Sequence, residues 1–272
     1  MTADKPDSGT GQSRHPEFDT GSPHSARVWN YWLGGKDNYP VDQAVGEEFR
    51  QSFPGIVELA RDSRAFLART VTHLATEVGI RQFLDIGTGL PTADNTHQIA
   101  QRAAPSSRIV YVDNDPLVLA HARALLVSTP EGATDYIDAD LHDPATVIGK
   151  ARDILDLSRP VALTLMQVIG HVSTYEEARS IVGRVMDALP SGSYLVFNDS
   201  VNTHRGNSEA TRAYNESGAA PYFLRSPEEI AGFFEDLELL EPGVVPLAQW
   251  RPVPGARTDG EVIALGGVGR KP

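Results

Sequence analysis

Apolar residues between positions 42 and 78 recur at helical steps. One amphipathic stretch runs from Asp42 to Phe53 and a second from Ile56 to Val78, where Phe66, Leu67, Val71, Leu74 and Val78 fall three and four residues apart. Both predict helices that cover a core. Beyond position 80 the pattern changes: QFLDIG (82–87), IVYVDN (109–114), TDYIDA (134–139), VALTLM (161–166) and SYLVFN (193–198) are short, apolar and rich in strand-forming residues. Helical stretches separate most of them, an alternation that predicts an α/β fold built on a doubly wound, mostly parallel sheet. Ser173 with Glu176, and Ser226 with Pro227 and Glu229, mark two helix starts in which hydroxyl and carboxylate cap each other's backbone donors. Pro91 opens a further helix that starts at Thr92. No internal repeat interrupts the pattern.

The first 24 residues are rich in Ser, Thr, Gly, Pro and Asp and nearly free of large aliphatics, so they cannot bury enough surface to offset the entropy of ordering. They read as a flexible tail, with 25–272 as a single domain. A chain of 272 residues, 40% hydrophobic and 22% charged, is long enough for one large core. The formal net charge of -12 argues against nucleic acid as a partner, because neutralising phosphates takes a concentrated excess of Lys and Arg. With no cysteine there is neither a disulfide framework nor a thiolate metal site. His and acidic residues form no ligand cluster at helical spacing, so no metal is expected. No apolar run approaches the roughly 18 residues that a membrane span requires, and the N-terminus lacks a signal-peptide core; a cytoplasmic protein is expected.

In a doubly wound sheet, ligands bind beyond the carboxyl ends of the strands, so the turns there carry the chemistry. FLDIGTGLPTADN sets Asp85 at the end of a buried strand, followed by Gly87, Thr88 and Gly89, glycines that let backbone pass close to a ligand. A dinucleotide fingerprint needs a small residue three positions after the second glycine, and Thr92 stands there. The Asp85 carboxylate would also repel a pyrophosphate, whereas it suits an ammonium group. VYVDNDP puts Asp113 at the next strand end, where a carboxylate hydrogen-bonds a ribose diol, with Asn114 beside a base. YIDADLHDP offers Asp140 to an exocyclic amino group and Leu141 to a purine ring.

That order of contacts resembles the class I S-adenosylmethionine-dependent methyltransferases, from about Arg64 to Arg270. SARVWNYWLGGKDNYPVD, FLDIGTGLPTADNTHQIAQ, VYVDNDP and YIDADLHDP together resemble an actinobacterial methyltransferase family long carried under an uncharacterised-family label. The resemblance implies a Rossmann-like class I methyltransferase fold with an N-terminal helical cap. Its sheet would have seven strands, the last (VIALGG, 262–267) antiparallel beside a strand near VVPLAQW (244–250). It further implies that Asp85, Gly87 and Gly89 hold the methionine part of S-adenosyl-L-methionine, Asp113 the ribose, and Asp140 with Leu141 the adenine. Leu90 and Pro91 stand where many class I enzymes have a third glycine.

The segment RVWNYWLGGKDNYPVDQ (27–43), within a cap at 25–62, predicts a lid: aromatic faces of Trp29, Tyr31, Trp32 and Tyr39 attract a sulfonium by roughly 0.5 to 2 kcal/mol. Gly34 and Gly35 would make a tight turn there, and Lys36 or Asn38 would reach the methionine carboxylate or the substrate. Methyl transfer is an in-line displacement that needs alignment more than a catalytic group. A hydroxyl acceptor benefits from a base, and LMQVIGHVS after the fourth strand offers Gln167 to the ligand shell and His171 to the acceptor pocket. NDSVNTHRGN offers Asn198, Asp199 and His204. The polar stretch 200–225, with Arg205, Arg212, Tyr214 and Arg225, reads as a substrate-side insertion for a small molecule. Two other functions stay open at this level: a non-catalytic S-adenosylmethionine-binding regulator, and a NAD(P)-dependent reductase, against which no Tyr is followed four residues later by Lys. Oligomeric state is not readable.

Overall fold

Each of the five apolar runs between 82 and 198 becomes a strand. The computed structural model describes residues 19–91, 94–125 and 127–272. In it β1 (Gln82–Ile86), β2 (Arg108–Asp113), β3 (Ala133–Asp138), β4 (Ala162–Met166) and β5 (Tyr194–Ser200) lie parallel in the order 3-2-1-4-5. Phe83 pairs with Ile109 on one side and with Ala162 on the other. All five residues of β1 are buried, and Ile109 to Val112 of β2 form an unbroken apolar run, because helices cover both faces of the sheet.

α1 (Ser25–Trp32), α2 (Pro40–Ser52), α3 (Ile56–His73) and α4 (Thr96–Ala103) contribute to the core on one face, where Phe49, Phe66, Leu67 and Ile99 pack with Trp250 in one cluster. α5 (Pro116–Leu125) follows β2 and contacts β3. α6 (Pro144–Ala151) and α7 (Tyr175–Ala188) cover the opposite face around Val147, Ile181 and Leu195. α8 (Arg205–Asn215) follows β5 and packs on α2, and α9 (Pro227–Gly232) is short. Among the described residues no helix is long and apolar enough to cross a membrane.

The antiparallel edge differs in detail from expectation. β8 (Ala264–Arg270) pairs antiparallel with β5, and its outer side is split between β6 (Glu238–Leu239) and β7 (Val245–Pro246), so among the described residues the sheet is seven strands wide with two short strands sharing the outermost position. Pro242 lacks a backbone donor and Gly243 takes a left-handed φ of 90°, and together they break what would be one edge strand. Residues 247–249 form a 3-10 turn that buries Trp250, instead of continuing a strand to 250. Gly266 is required in β8, since a Cβ there would sit 2.9 Å from Asn198 Cβ and from Leu247 Cδ2.

Three helix boundaries also move. The helix after β1 starts at Thr96, not at Thr92, because Asn95 and Gln98 form the capping box; Thr92 itself lies outside the described residues. α7 is capped by Thr174, whose hydroxyl accepts from the Glu177 N–H, one residue later than the Ser173 start. The Ser226–Glu229 box forms as read. The 56–78 stretch is α-helical to His73, turns π-helical over 74–78 and ends at Gly79 with φ 87°, and this last turn leaves Val78 exposed.

Of the expected tail, residues 1–18 lie outside the described residues. Residues 19–24 are anchored instead of free. The Arg27 guanidinium donates to the carbonyls of Asp19 and Ser22 at 2.6 Å each, and the His24 N–H donates to Asp42 at 2.9 Å. Arg27 and Asp42 form a buried ion pair at 3.1 Å beneath them.

Candidate functional site

The strand order reverses between β1 and β4, so the loops after these two strands leave in opposite directions and open a crevice. A cavity of about 300 Å³ lies there. Asp85, Gly87, Thr88, Gly89, Asp113, Asn114, Asp140, Leu141 and Gln167 all line it, so the tips of β1, β2 and β3 converge on one space.

Asp85 is buried, and its carboxylate accepts from the Thr96 hydroxyl at 2.6 Å. Burial pushes its pKa up, opposed by that hydroxyl and by the Arg64 guanidinium. The two glycines do different jobs. Gly87 has φ 72° and a Cβ there would overlap the Val168 side chain, so its lack of a side chain serves packing between the β1 and β4 loops. At Gly89, with φ 65°, a Cβ would come no closer than 4.0 Å to the Ala26 Cβ, so this glycine is the one that leaves backbone accessible to a ligand.

Asp113 is tied to backbone: Oδ2 accepts from the Gly89 N–H at 2.8 Å, and Oδ1 accepts from Asn114 and Asp115 at 2.9 and 3.0 Å. Three of the roughly four acceptor positions of a carboxylate are thus used, and one on Oδ2 remains for a ligand hydroxyl. Burial raises its pKa. At the tip of β3, burial pulls Asp140 up, but bonds from the backbone N–H and ring of His142 hold it below the usual carboxylate range.

The other end of the cavity is built from the segments after β4 and β5. Gln167 adopts a left-handed φ of 54°, a strained backbone at a site boundary. Its amide is already engaged, donating to Asn198 at 3.0 Å and accepting from the Ser200 hydroxyl at 2.8 Å, with the Tyr222 hydroxyl oxygen 3.0 Å from its Oε1. Asn198 and Asp199 do not line the cavity; they sit behind it. The Tyr222 hydroxyl donates to the Asp199 carboxylate, whose pKa burial pushes up to about 6. Arg225 approaches Asp199 at 3.6 Å.

His171 lines the cavity on a 3-10 turn. Its Nδ1 lies 2.9 Å from the Pro221 carbonyl, an acceptor only, so Nδ1 carries the proton and Nε2 keeps its lone pair. Burial lowers its pKa, which favours this neutral form. The ring meets Tyr222 edge-on at 5.1 Å. His204 instead caps α8 and pairs with Glu261 at 2.9 Å, off the cavity.

The N-terminal segment contributes half of what its composition suggests. Trp29 and Trp32 line the cavity. The Tyr31 hydroxyl donates to Glu47 at 3.0 Å, and Tyr39 lies under the Arg27 guanidinium at 5.1 Å. Lys36 is exposed and off the cavity. The Asn38 amide donates to Asn30 Oδ1 at 2.8 Å and to the Gly35 carbonyl at 3.0 Å, so it secures the Gly34–Gly35 turn and does not face a ligand.

Sequence reasoning missed His24, Ser63, Arg64, Asn207, Thr211 and Tyr222, all of which line the cavity. Two of these had a signal: Ser63 and Arg64 are polar intrusions between Ile56, Leu59 and Leu67 on the inward side of α3. Asn207, Thr211 and Tyr214 fall four and three residues apart, one face of α8.

Comparison with known proteins agrees with this architecture. A family model described as S-adenosyl methyltransferase matches residues 11–272. A DUF574 family protein from Streptomyces avermitilis is 44% identical, with 93% of this chain and 99% of that one covered at a TM-score of 0.90. A Thermobifida fusca protein described as a candidate methyltransferase is 40% identical, with 92% and 95% covered at 0.85. A Burkholderia thailandensis O-methyltransferase family protein, 14% identical, shares the fold alone, with 86% and 72% covered at 0.52. No protein of curated function matches. The open backbone at Gly89, the spare acceptor position on Asp113 and the neighbouring acids suit a ligand with an ammonium group and a ribose diol. The chain belongs to the S-adenosyl methyltransferase family, enzymes whose cofactor is S-adenosylmethionine.

Proposed function

We propose that the cavity takes S-adenosylmethionine at the strand tips and a small-molecule acceptor beside α8, and that the enzyme methylates an oxygen or nitrogen of that acceptor. When bound, the cofactor supplies a methyl group on a positively charged sulfur. Asp85 faces its ammonium group, Asp113 the ribose hydroxyls, and Asp140 with Leu141 the adenine; Thr88, Asn114 and Gln167 complete the wall. Trp29 and Trp32 exclude water and offer π faces to the positive charge. His171 Nε2 would take the acceptor's proton, while its Nδ1–H stays on the Pro221 carbonyl. Residues 25–62 act as the cap and 200–225 as the substrate-side insertion of one domain spanning 25–272.

One observation carries this reading: Asp85, Asp113 and Asp140 line the same cavity as His171. The net charge of -12 supports a small molecule over nucleic acid. Calorimetry with S-adenosylhomocysteine, followed by incubation of the protein with methyl-labelled cofactor and cell extract, tests it. Binding with transfer of label to a low-molecular-weight product is expected. No binding, or label found only in nucleic acid, overturns the proposal.

A further inference from the structure

The acceptor end of the cavity is aromatic and carries no charge on α8. Trp32 meets Phe49 at 5.1 Å between ring centroids, and Phe49 meets Tyr214 edge-on at 6.2 Å, so an aromatic chain runs from α1 through α2 to α8 along the wall. Tyr222 closes the same end beside His171. Aromatic faces and edges arranged at tilted angles favour a flat ring between them over a flexible chain.

Within this apolar wall α8 presents Asn207, and Thr211 one turn further on. Asn207 is 1% exposed, and its amide nitrogen has no hydrogen-bond partner among the described residues. A buried donor left without an acceptor is expensive, and natural proteins keep few of them. Packing does not require the amide here, since leucine has nearly the same shape. The charged side chains on the cavity wall, Arg64, Asp85, Asp113 and Asp140, come from α3 and from the tips of β1, β2 and β3, not from α8. A phosphate, carboxylate or polyamine would therefore meet no counter-charge on the cavity-lining side of this helix, which is Asn207, Thr211 and Tyr214.

From these residues, and resting on the methyl-transfer reading above, we propose that the acceptor is an uncharged, planar aromatic molecule whose ring stacks within the Trp32–Phe49–Tyr214 wall and whose oxygen accepts from the Asn207 amide. The nucleophilic hydroxyl or ring N–H then faces His171. Thr211 supplies a second polar contact on the same helix face.

Umbelliferone, a planar bicyclic phenol with a ring carbonyl, is the probe, titrated into the full-length protein saturated with S-adenosylhomocysteine at a pH that keeps the phenol neutral. Cyclohexanol and spermidine are the aliphatic controls. Saturable binding of umbelliferone alone is expected. Asn207→Leu weakens it about fivefold or more, leaves S-adenosylhomocysteine affinity unchanged, and does not lower the melting temperature, because it removes an unpaired buried donor. Thr211→Val, which keeps the side chain's shape, weakens it as well and serves if Asn207→Leu folds poorly. Failure of umbelliferone to bind the loaded protein, equal binding of either aliphatic control, or unchanged binding in both variants overturns the aromatic assignment. Failure of S-adenosylhomocysteine itself to bind overturns the methyl-transfer reading, and this one with it.

Discussion

His171 Nδ1 stands 2.9 Å from the carbonyl oxygen of Pro221, a residue fifty positions away in the segment between α8 and α9. A carbonyl only accepts, so this contact sets the tautomer and leaves Nε2 basic on the cavity side. His171→Ala should lower kcat by about a hundredfold, within the usual range for loss of a general base, while S-adenosylhomocysteine affinity stays unchanged. Burial lowers the His171 pKa, so the wild-type rate should fall as pH drops through a value below the ordinary 6.5. Rates with methyl-labelled cofactor across pH, and calorimetry of the variant, check both statements. An unchanged kcat would remove His171 from the chemistry.

Gly87 joins β1 to the cavity and sits against Val168 of the β4 loop. Gly87→Ala forces a side chain into a left-handed backbone and into overlap with Val168. We expect a loss of roughly 2 to 4 kcal/mol in unfolding free energy, read by urea denaturation. Val168→Ala in the same chain removes the clash with the Val168 methyl groups but leaves its Cβ 2.5 Å from the new side chain and leaves the backbone strain, so the double variant should recover only part of the loss. Full recovery would mean that the left-handed φ costs nothing.

The frame of this fold is legible in the sequence because both sheet faces are covered, which leaves strands such as β2 with an unbroken apolar run from Ile109 to Val112. The strand tips are equally legible, since a topological rule ties Asp85, Asp113 and Asp140 to the carboxyl edge before any coordinate is known. The edge beyond β8 is not: Val245 and Pro246 are too short a run to show a period, and their pairing is decided by the contact with β8. Lys36, Asn38 and Tyr39 mislead for a related reason. Their residue types suit a ligand, but Asn30 and Arg27 claim Asn38 and Tyr39, and neither claim has a periodic signature. Tyr222 is invisible for the opposite reason. It lies in a loop, and the Asp199 and Gln167 groups that hold it come from two different strand ends.

The contrast between Asp113 and Lys36 makes a direct test. Asp113→Ala removes both the anchor of the Gly89 turn and the acceptor we propose for the ribose, so S-adenosylhomocysteine affinity should fall at least about tenfold. Lys36→Ala, exposed and off the cavity, should change it by less than about twofold. Calorimetry on the two variants decides. Equal losses would mean that the 27–43 segment rearranges onto the ligand.

Asp199, buried behind the cavity, makes stability depend on pH. Its carboxylate is fully buried against the Tyr222 hydroxyl, with Arg225 at 3.6 Å, and burial raises its pKa from 3.8 to about 6. Because the folded chain binds this proton more tightly than the unfolded chain does, its contribution to stability is fully present below about pH 4 and is lost as pH rises through about 6. Asp199→Asn cannot ionise and its Oδ1 keeps an acceptor for the Tyr222 hydroxyl, so it lacks this loss. The stability of the variant relative to wild type should therefore improve by of order 1 kcal/mol between about pH 5 and about pH 7.5. Urea unfolding of both proteins at the two pH values measures the difference. A constant gap would mean that Arg225 keeps Asp199 ionised throughout, and that the Tyr222 hydroxyl faces a permanent negative charge behind the acceptor site.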